Sequence, residues 1–136
     1  MPIAVWSLGL ETGIAELDQQ HKALFDAINA LGEAFQAGQA PSRVGESLAF
    51  LNRYTREHFD CEEGYMVRSG YPNLAAHQAE HAQLMARLGE LEARHGRGFL
   101  VTADVALFLA EWLTHHINEV DMGYVAYSRG AQATAG

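Results

Sequence analysis

The sequence predicts an all-α protein, an antiparallel up-down-up-down four-helix bundle with an N-terminal extended arm. Four stretches repeat apolar residues at helical spacing, and short segments containing Gly, Pro or Asn separate them. The 136 residues suffice for one buried core but not for two, so we expect a single domain over 1–136. Because the connections are short and the helices similar in length, sequential helices should be antiparallel.

The first two helices are predicted over 16–37 and 43–66. In the first, apolar residues from Leu17 to Phe35 follow one stripe, and Gly38 ends the helix. The second follows Pro41 and has inward positions that alternate at four and three, as a seam facing a partner helix requires. Those positions are Val44, Leu48, Leu51, Thr55, His58 and Glu62.

The third and fourth helices are predicted over 72–94 and 103–127, and the run Ser-Gly-Tyr-Pro-Asn at 69–73 separates the second from the third. Residues after Tyr127 are expected to form a loose tail. The inward positions of the third helix are Leu74, His77, His81, Leu84, Leu88 and Leu91. Those of the fourth are Val105, Leu109, Trp112, Leu113, His116, Val120 and Tyr124.

Charge and composition exclude several classes of partner. A formal net charge of -8, with only nine Lys and Arg in all, leaves no basic patch for nucleic acid or anionic lipid. No stretch has the length of a membrane span or the pattern of a signal peptide, so we expect a cytoplasmic protein without membrane insertion. The single cysteine, Cys61, rules out an internal disulfide and suits a reducing compartment. A monomer is expected.

The histidines are the residues that indicate a metal site. Seven are present, and five of them occupy inward positions where leucine would otherwise stand. Each buried neutral imidazole has a donor and an acceptor to pair, and a shared metal satisfies all the acceptors together. Both His58 with Glu62 and His77 with His81 are four residues apart, which puts their ligand atoms side by side. Imidazole mixed with carboxylate favours iron, although these residues alone leave the metal open.

Four motifs resemble the successive signatures of the hemerythrin family, in the family's order and at its spacing. After Trp6 come GIAELDQQHKALF, YTREHFDCEEGYM followed by GYP, HQAEH, and WLTHHINEVD. Together they cover the chain from Trp6 to Tyr124. The resemblance implies a centre of two iron ions, Fe2+ or Fe3+, with a bridging oxo or hydroxo group and dioxygen as ligand.

The resemblance also implies a role for each site residue. One iron would be bound by three histidines, His77, His81 and His116. The other would be bound by two, His21 and His58. Two carboxylates, Glu62 and Asp121, would bridge both ions. Leu113 matches a leucine that lines the ligand pocket in the family, and ordinary core packing is the alternative role.

Several assignments stay open at the level of sequence. Asp121 lies five residues after His116, about 140° around an ideal helix, so a π-bulge or local unwinding is needed to turn both inward. Glu63 and His115 fall off the inward stripes, and Glu63 is expected to be a solvated or outer carboxylate. His95 is expected to complement the C-terminal dipole of its helix, and Cys61 to be a small core residue.

The function implied is reversible dioxygen binding, for storage, transport or delivery to an oxygen-consuming enzyme. The protein is expected not to be an enzyme, apart from side oxidase or peroxidase activity. The alternatives are a di-iron oxidase or peroxidase, and a nitric oxide or oxygen sensing module. A hydrolase is a further rival, because HQAEH matches an inverted zinc-peptidase pattern with Glu80 as base.

Overall fold

The computed structural model describes residues 4–38, 41–98 and 103–135. Within them the chain is helical and contains no β-strand, which confirms the predicted all-α class. The elements are an N-terminal arm with a 3-10 turn at Leu8–Leu10, α1 (Ala15–Gln36), α2 (Pro41–Ser69), α3 (Leu74–Gly96), α4 (Ala103–His115), a π-helical segment (His116–Asp121) and α5 (Met122–Ala135). Among these residues, no helix combines the length and apolar character that crossing a membrane requires.

The helices pack as a four-helix bundle in which α4, the π-helical segment and α5 form the fourth rod. α1 packs against α2 and α4, and α2 packs against α3. Between α2 and α3 the chain reverses over four residues. Gly70 adopts a φ of 68° there, and the Tyr71 amide donates to the Met66 carbonyl at 3.0 Å. A side chain at Gly70 would be strained in that conformation.

One end of the bundle has an apolar core. Leu31 and Ala106 are fully buried there, and Leu48, Leu51 and Leu88 are at most 2% exposed. The other end, formed by the start of α1, the end of α2, the start of α3 and the π-helical segment, buries the polar residues. The buried polar residues therefore cluster at one end of the bundle, and the apolar core fills the other.

The N-terminal arm covers α1 beside the polar end. The backbone of Ala4 exchanges two 2.8 Å hydrogen bonds with the side chain of Asn29. Trp6 then packs edge-on against Phe25, with ring centroids 5.6 Å apart. Its indole also lies 6.4 Å from the imidazole of His21, so the arm closes one side of the site.

The loose tail expected after Tyr127 is wrong, because α5 continues to Ala135. The middle of this helix contacts distant parts of the chain. The Tyr127 hydroxyl donates to the carbonyl of Ser69 at 2.9 Å, and the Arg129 guanidinium donates to the carbonyl of Thr12 at 3.3 Å. These contacts join the last helix to the end of α2 and to the arm.

Candidate metal centre

Seven side chains converge at the polar end of the bundle, and each is 2% exposed or less. They come from all four rods of the bundle, so no single sequence motif contains the whole set. They are the residues that the sequence singled out: His21, His58, Glu62, His77, His81, His116 and Asp121.

A first group of ligand atoms surrounds Glu62 Oε1. This oxygen lies 2.8 Å from His77 Nε2 and 3.2 Å from His81 Nε2. Asp121 Oδ1 lies 3.0 Å from His77 Nε2 and 3.1 Å from His116 Nε2. The Nε2 atoms of His81 and His116 are themselves 3.0 Å apart. Three imidazoles and two carboxylates therefore point their donor atoms into one small volume.

A second group lies on the opposite side of the same carboxylates. Glu62 Oε2 is 3.6 Å from His21 Nε2 and 3.5 Å from His58 Nε2. The second oxygen of Asp121 is 3.3 Å from His21 Nε2. Each carboxylate thus divides its two oxygens between the two groups, as a carboxylate that bridges two metal ions does.

The π-helical segment explains how Asp121 reaches the site. In a regular α-helix a residue five positions after His116 points about 140° away from it. Over His116–Asp121 the backbone widens to π-helical pairing, in which residues five apart follow one another along the same face. The local unwinding expected from the sequence is therefore present, and both side chains are buried.

The buried charges have strongly shifted pKa values. Burial opposes ionisation of Glu62, but contacts with His21, His77 and His81 hold its pKa well below the usual range. Burial likewise disfavours charged His21 and His77, yet contacts with Asp121 and Glu62 outweigh it and raise the pKa of each to about 9. The cluster as it stands stabilises positive charge beside its two carboxylates.

Burial dominates at one histidine. Desolvation of the imidazole lowers the pKa of His58 to about 4. This ring is consequently neutral at physiological pH, as a metal-ligating imidazole must be.

Several buried polar atoms lack any hydrogen-bond partner among the described residues. Four of them face the centre, namely His21 Nε2, Glu62 Oε2 and both carboxylate oxygens of Asp121, while Nδ1 of His21 and of His77 lie on the outer side of their rings. Such atoms are costly inside a protein unless something pairs with them. Two metal cations placed between the groups would satisfy the four atoms that face the centre, and imidazole with carboxylate is a donor set suited to iron. The residues present therefore fit a binuclear metal centre.

Three of the histidines have a hydrogen-bond partner on the nitrogen that faces away from the centre. Nδ1 of His58 is 2.7 Å from Gln20 Oε1. Nδ1 of His81 is 2.8 Å from Glu63 Oε2, and Nδ1 of His116 is 2.8 Å from Glu80 Oε1. Of the two roles expected for Glu63, the structure shows the outer carboxylate. The sequence analysis did not single out Gln20, and it named Glu80 only as the base of the rival peptidase hypothesis.

The positions of these partners hold a signal that could have found them. Gln20 directly precedes His21, Glu63 directly follows Glu62, and Glu80 directly precedes His81. Each therefore lies about 100° around its helix from an inward residue, at the edge that faces the neighbouring helix. Such a position suits a side chain that reaches a ligand on another helix.

Aromatic rings fix the orientation of two imidazoles. Phe59 stacks on His81 with ring centroids 3.7 Å apart and planes 3° apart. Trp112 stacks on His116 at 4.6 Å and 12°. Both imidazoles are thus held by a ring on one face and by an outer carboxylate at Nδ1.

An apolar layer lies one helical turn below the histidines, towards the apolar end. Leu24, Thr55, Leu84 and Leu113 stand three residues from His21, His58, His81 and His116 respectively. Together with Ile28 and neighbouring leucines they line a cavity of about 10 Å³, close to the smallest volume that holds one water molecule. Leu113 is 4% exposed and therefore belongs to the floor beneath the site.

The remaining ambiguous residues lie outside the cluster. His115 is exposed, which agrees with the choice of His116 as the inward residue, and His95 is half-buried in the last turn of α3. The expectation that Cys61 is a core residue is wrong. Its thiol is only partly buried and donates to the Glu16 carboxylate at 3.2 Å, because position 61 faces the groove between α1 and α2 rather than the bundle interior.

Comparison with known proteins gives a consistent result. A family profile described as the hemerythrin HHE cation-binding domain matches residues 12–127. A bacteriohemerythrin of Methylococcus capsulatus is 34% identical over 91% of this chain and 95% of its own length. A hemerythrin chain of Sipunculus nudus is 31% identical over 88% of this chain and 89% of its own.

Solved structures agree with the sequence relatives. A wild-type hemerythrin crystal structure superposes with a TM-score of 0.85 at 34% identity, covering 90% of this chain and 95% of that one. A hemerythrin variant with one leucine replaced by alanine gives a TM-score of 0.88 at 33% identity, covering 93% of this chain and 97% of that one.

Proposed function

The chain belongs to the hemerythrin family, and on that premise we propose that it binds dioxygen reversibly at a pair of iron ions. The observation that carries the proposal is the division of two buried carboxylates between two groups of histidines. Glu62 and Asp121 would bridge the ions. His77, His81 and His116 would hold one ion, and His21 and His58 the other.

The unequal numbers of histidines support binding of an external ligand. With both carboxylates shared, the ion held by His21 and His58 has one side-chain ligand fewer than its neighbour. A metal site that accepts a ligand keeps such a position open. The residues of both groups would hold a pair of ferrous ions, and such a pair would supply the two electrons that reversible dioxygen binding requires.

The chain's own residues favour release over reduction. All seven site residues are almost completely buried, and the layer formed by Leu24, Leu84 and Leu113 excludes bulk water from below. Reduction of dioxygen beyond reversible binding consumes protons, and bulk water is one source of them. An apolar floor closes that route from below, which favours a carrier over an oxidase.

The rival peptidase assignment fits the geometry poorly. Glu80, which would serve as its general base, lies 2.8 Å from His116 Nδ1 and so acts as an outer partner of a histidine. That assignment also leaves His21 and His58 buried without a role. Histidines outnumber carboxylates in the cluster, which favours dioxygen binding over the oxidation chemistry of glutamate-rich di-iron bundles.

Optical spectra of the reduced protein under cycles of dioxygen and argon test the proposal, with iron assayed in parallel. We expect two irons per chain and an absorption change that appears with dioxygen and disappears without it over repeated cycles. One zinc per chain, or an irreversible change with steady consumption of dioxygen, would contradict it. Storage, transport and delivery to an oxygen-consuming enzyme in the cytoplasm remain predictions about the physiological role.

A further inference from the structure

The outer partners of the histidines differ in charge between the two groups of ligands. His81 and His116 belong to the three-histidine group and contact the carboxylates of Glu63 and Glu80. His58 belongs to the two-histidine group and contacts the amide oxygen of Gln20. We infer that Glu63 and Glu80 are positioning residues that strengthen binding of one metal ion, whereas uncharged Gln20 leaves the other more weakly held. This inference rests on the proposed binuclear centre.

The three contacts act first on orientation. In each pair the imidazole Nδ1–H donates to an oxygen at 2.7 to 2.8 Å. That bond leaves the lone pair on Nε2, the nitrogen that faces the centre. The ring is therefore held in the tautomer and direction that a metal ion requires, before the ion arrives.

The Gln20 amide is the outer partner of His58. Its oxygen lies 2.7 Å from His58 Nδ1 and accepts the imidazole N–H. It supplies the same acceptor as a carboxylate but without the negative charge.

Charge is what then separates the two groups. A carboxylate hydrogen-bonded to a ligating imidazole increases its basicity, and loss of such a partner commonly weakens metal binding 10- to 100-fold. The side chains of Glu63 and Glu80 are only 22% and 31% exposed, so solvent screens their charges incompletely. The three-histidine ion should thus be bound first and held more tightly, leaving the two-histidine ion weaker and more exchangeable.

Titration of the metal-free protein with Co2+ under argon tests this inference, since the ion needs no dioxygen and reports its ligands by absorption. Wild type should bind two ions in two steps. Glu80→Gln and Glu63→Gln keep an acceptor but remove the charge, and each should weaken the tighter step about 10-fold. Gln20→Glu should strengthen the weaker binding step and so bring the dissociation constants of the two steps closer together. His58→Ala, which removes a ligand of the two-histidine group, identifies the weaker step.

Glu90→Gln is the matched control, because it makes the same change on α3 at a side chain 54% exposed and paired with Arg94. Chemical unfolding of each metal-free variant separates positioning from general loss of structure, and the unfolding midpoints should stay within error of wild type. If Glu80→Gln and Glu63→Gln match Glu90→Gln, or weaken both steps equally, the inference is overturned while the binuclear centre stands. Fewer than two Co2+ ions in wild type would instead contradict the proposed function.

Discussion

The two ends of the bundle use one helical geometry for different purposes. In α3 a single inward stripe begins with His77 and His81 and continues through Leu84 and Leu88. At the leucine end the core is closed by packing alone. At the histidine end the same spacing buries nitrogen and oxygen atoms that lack hydrogen-bond partners among the described residues. The fold can therefore form from its apolar end, whereas its polar end depends on a ligand to be satisfied.

The largest test of this contrast is Glu62→Ala. Because Glu62 contributes one oxygen to each group of histidines, the variant should lose both metal ions rather than one. Metal content by mass spectrometry or atomic absorption measures the outcome. Glu57→Ala, at an exposed position on the same helix, is the control, and retention of one full equivalent of iron would show that Glu62 is not shared.

Removal of metal should destabilise the two ends unequally. A ligand present at about 1,000 times its dissociation constant contributes about 4 kcal/mol to the free energy of unfolding. Metal-free protein should therefore unfold more easily, and hydrogen exchange should accelerate mainly in the site-facing ends of α1, α2 and α3. Hydrogen-exchange mass spectrometry with and without chelator measures the protection of each helix. Uniform loss of protection along the helices would contradict the proposed difference between the polar and apolar ends.

Two leucine truncations separate packing from function. Leu31→Ala in the apolar end and Leu113→Ala under the site should each lower the free energy of unfolding by about 2 to 5 kcal/mol. Only Leu113→Ala should also quicken decay of the oxygenated absorption band, several-fold, because water gains access from below. Iron content should be unchanged in both variants. Equal decay rates would reduce Leu113 to an ordinary core residue.

The smallest expected effect comes from Tyr127→Phe. The hydroxyl donates to the Ser69 and Gly70 carbonyls, and a hydrogen bond of this kind contributes about 1 kcal/mol. The variant should lower the unfolding free energy by about that amount and leave metal content and spectrum unchanged. Altered iron binding would mean that α5 influences the site more directly than its contacts indicate.

The inward residues could be predicted because they depend on local spacing. Alternation at three and four residues is visible in the sequence, and five histidines interrupting leucine stripes mark a site without any knowledge of helix packing. The structure brings these predicted residues together, and their role as metal ligands stays a proposal. The bulge before Asp121 could be anticipated only because the residue was expected at the site.

Features that depend on neighbouring helices could not be predicted in the same way. Glu80 lies on α3 but contacts His116 on the fourth rod, and the crossing of these helices decides which side chain it meets. Tyr127 and Arg129 of α5 similarly contact Ser69 and Thr12, which are far away in sequence. Alternation of apolar residues carries no information about either contact.

The π-helical segment also sets the angular phase of everything that follows it. If the same residues from His116 to Asp121 wound as an ordinary α-helix, the rest of the rod would rotate by about 100° relative to the part before it. Asp121 would leave the cluster, and Tyr124 and Tyr127 would turn away from the end of α2. The wider winding of this one stretch therefore controls two things at once, the direction of the Asp121 carboxylate and the seating of the last helix.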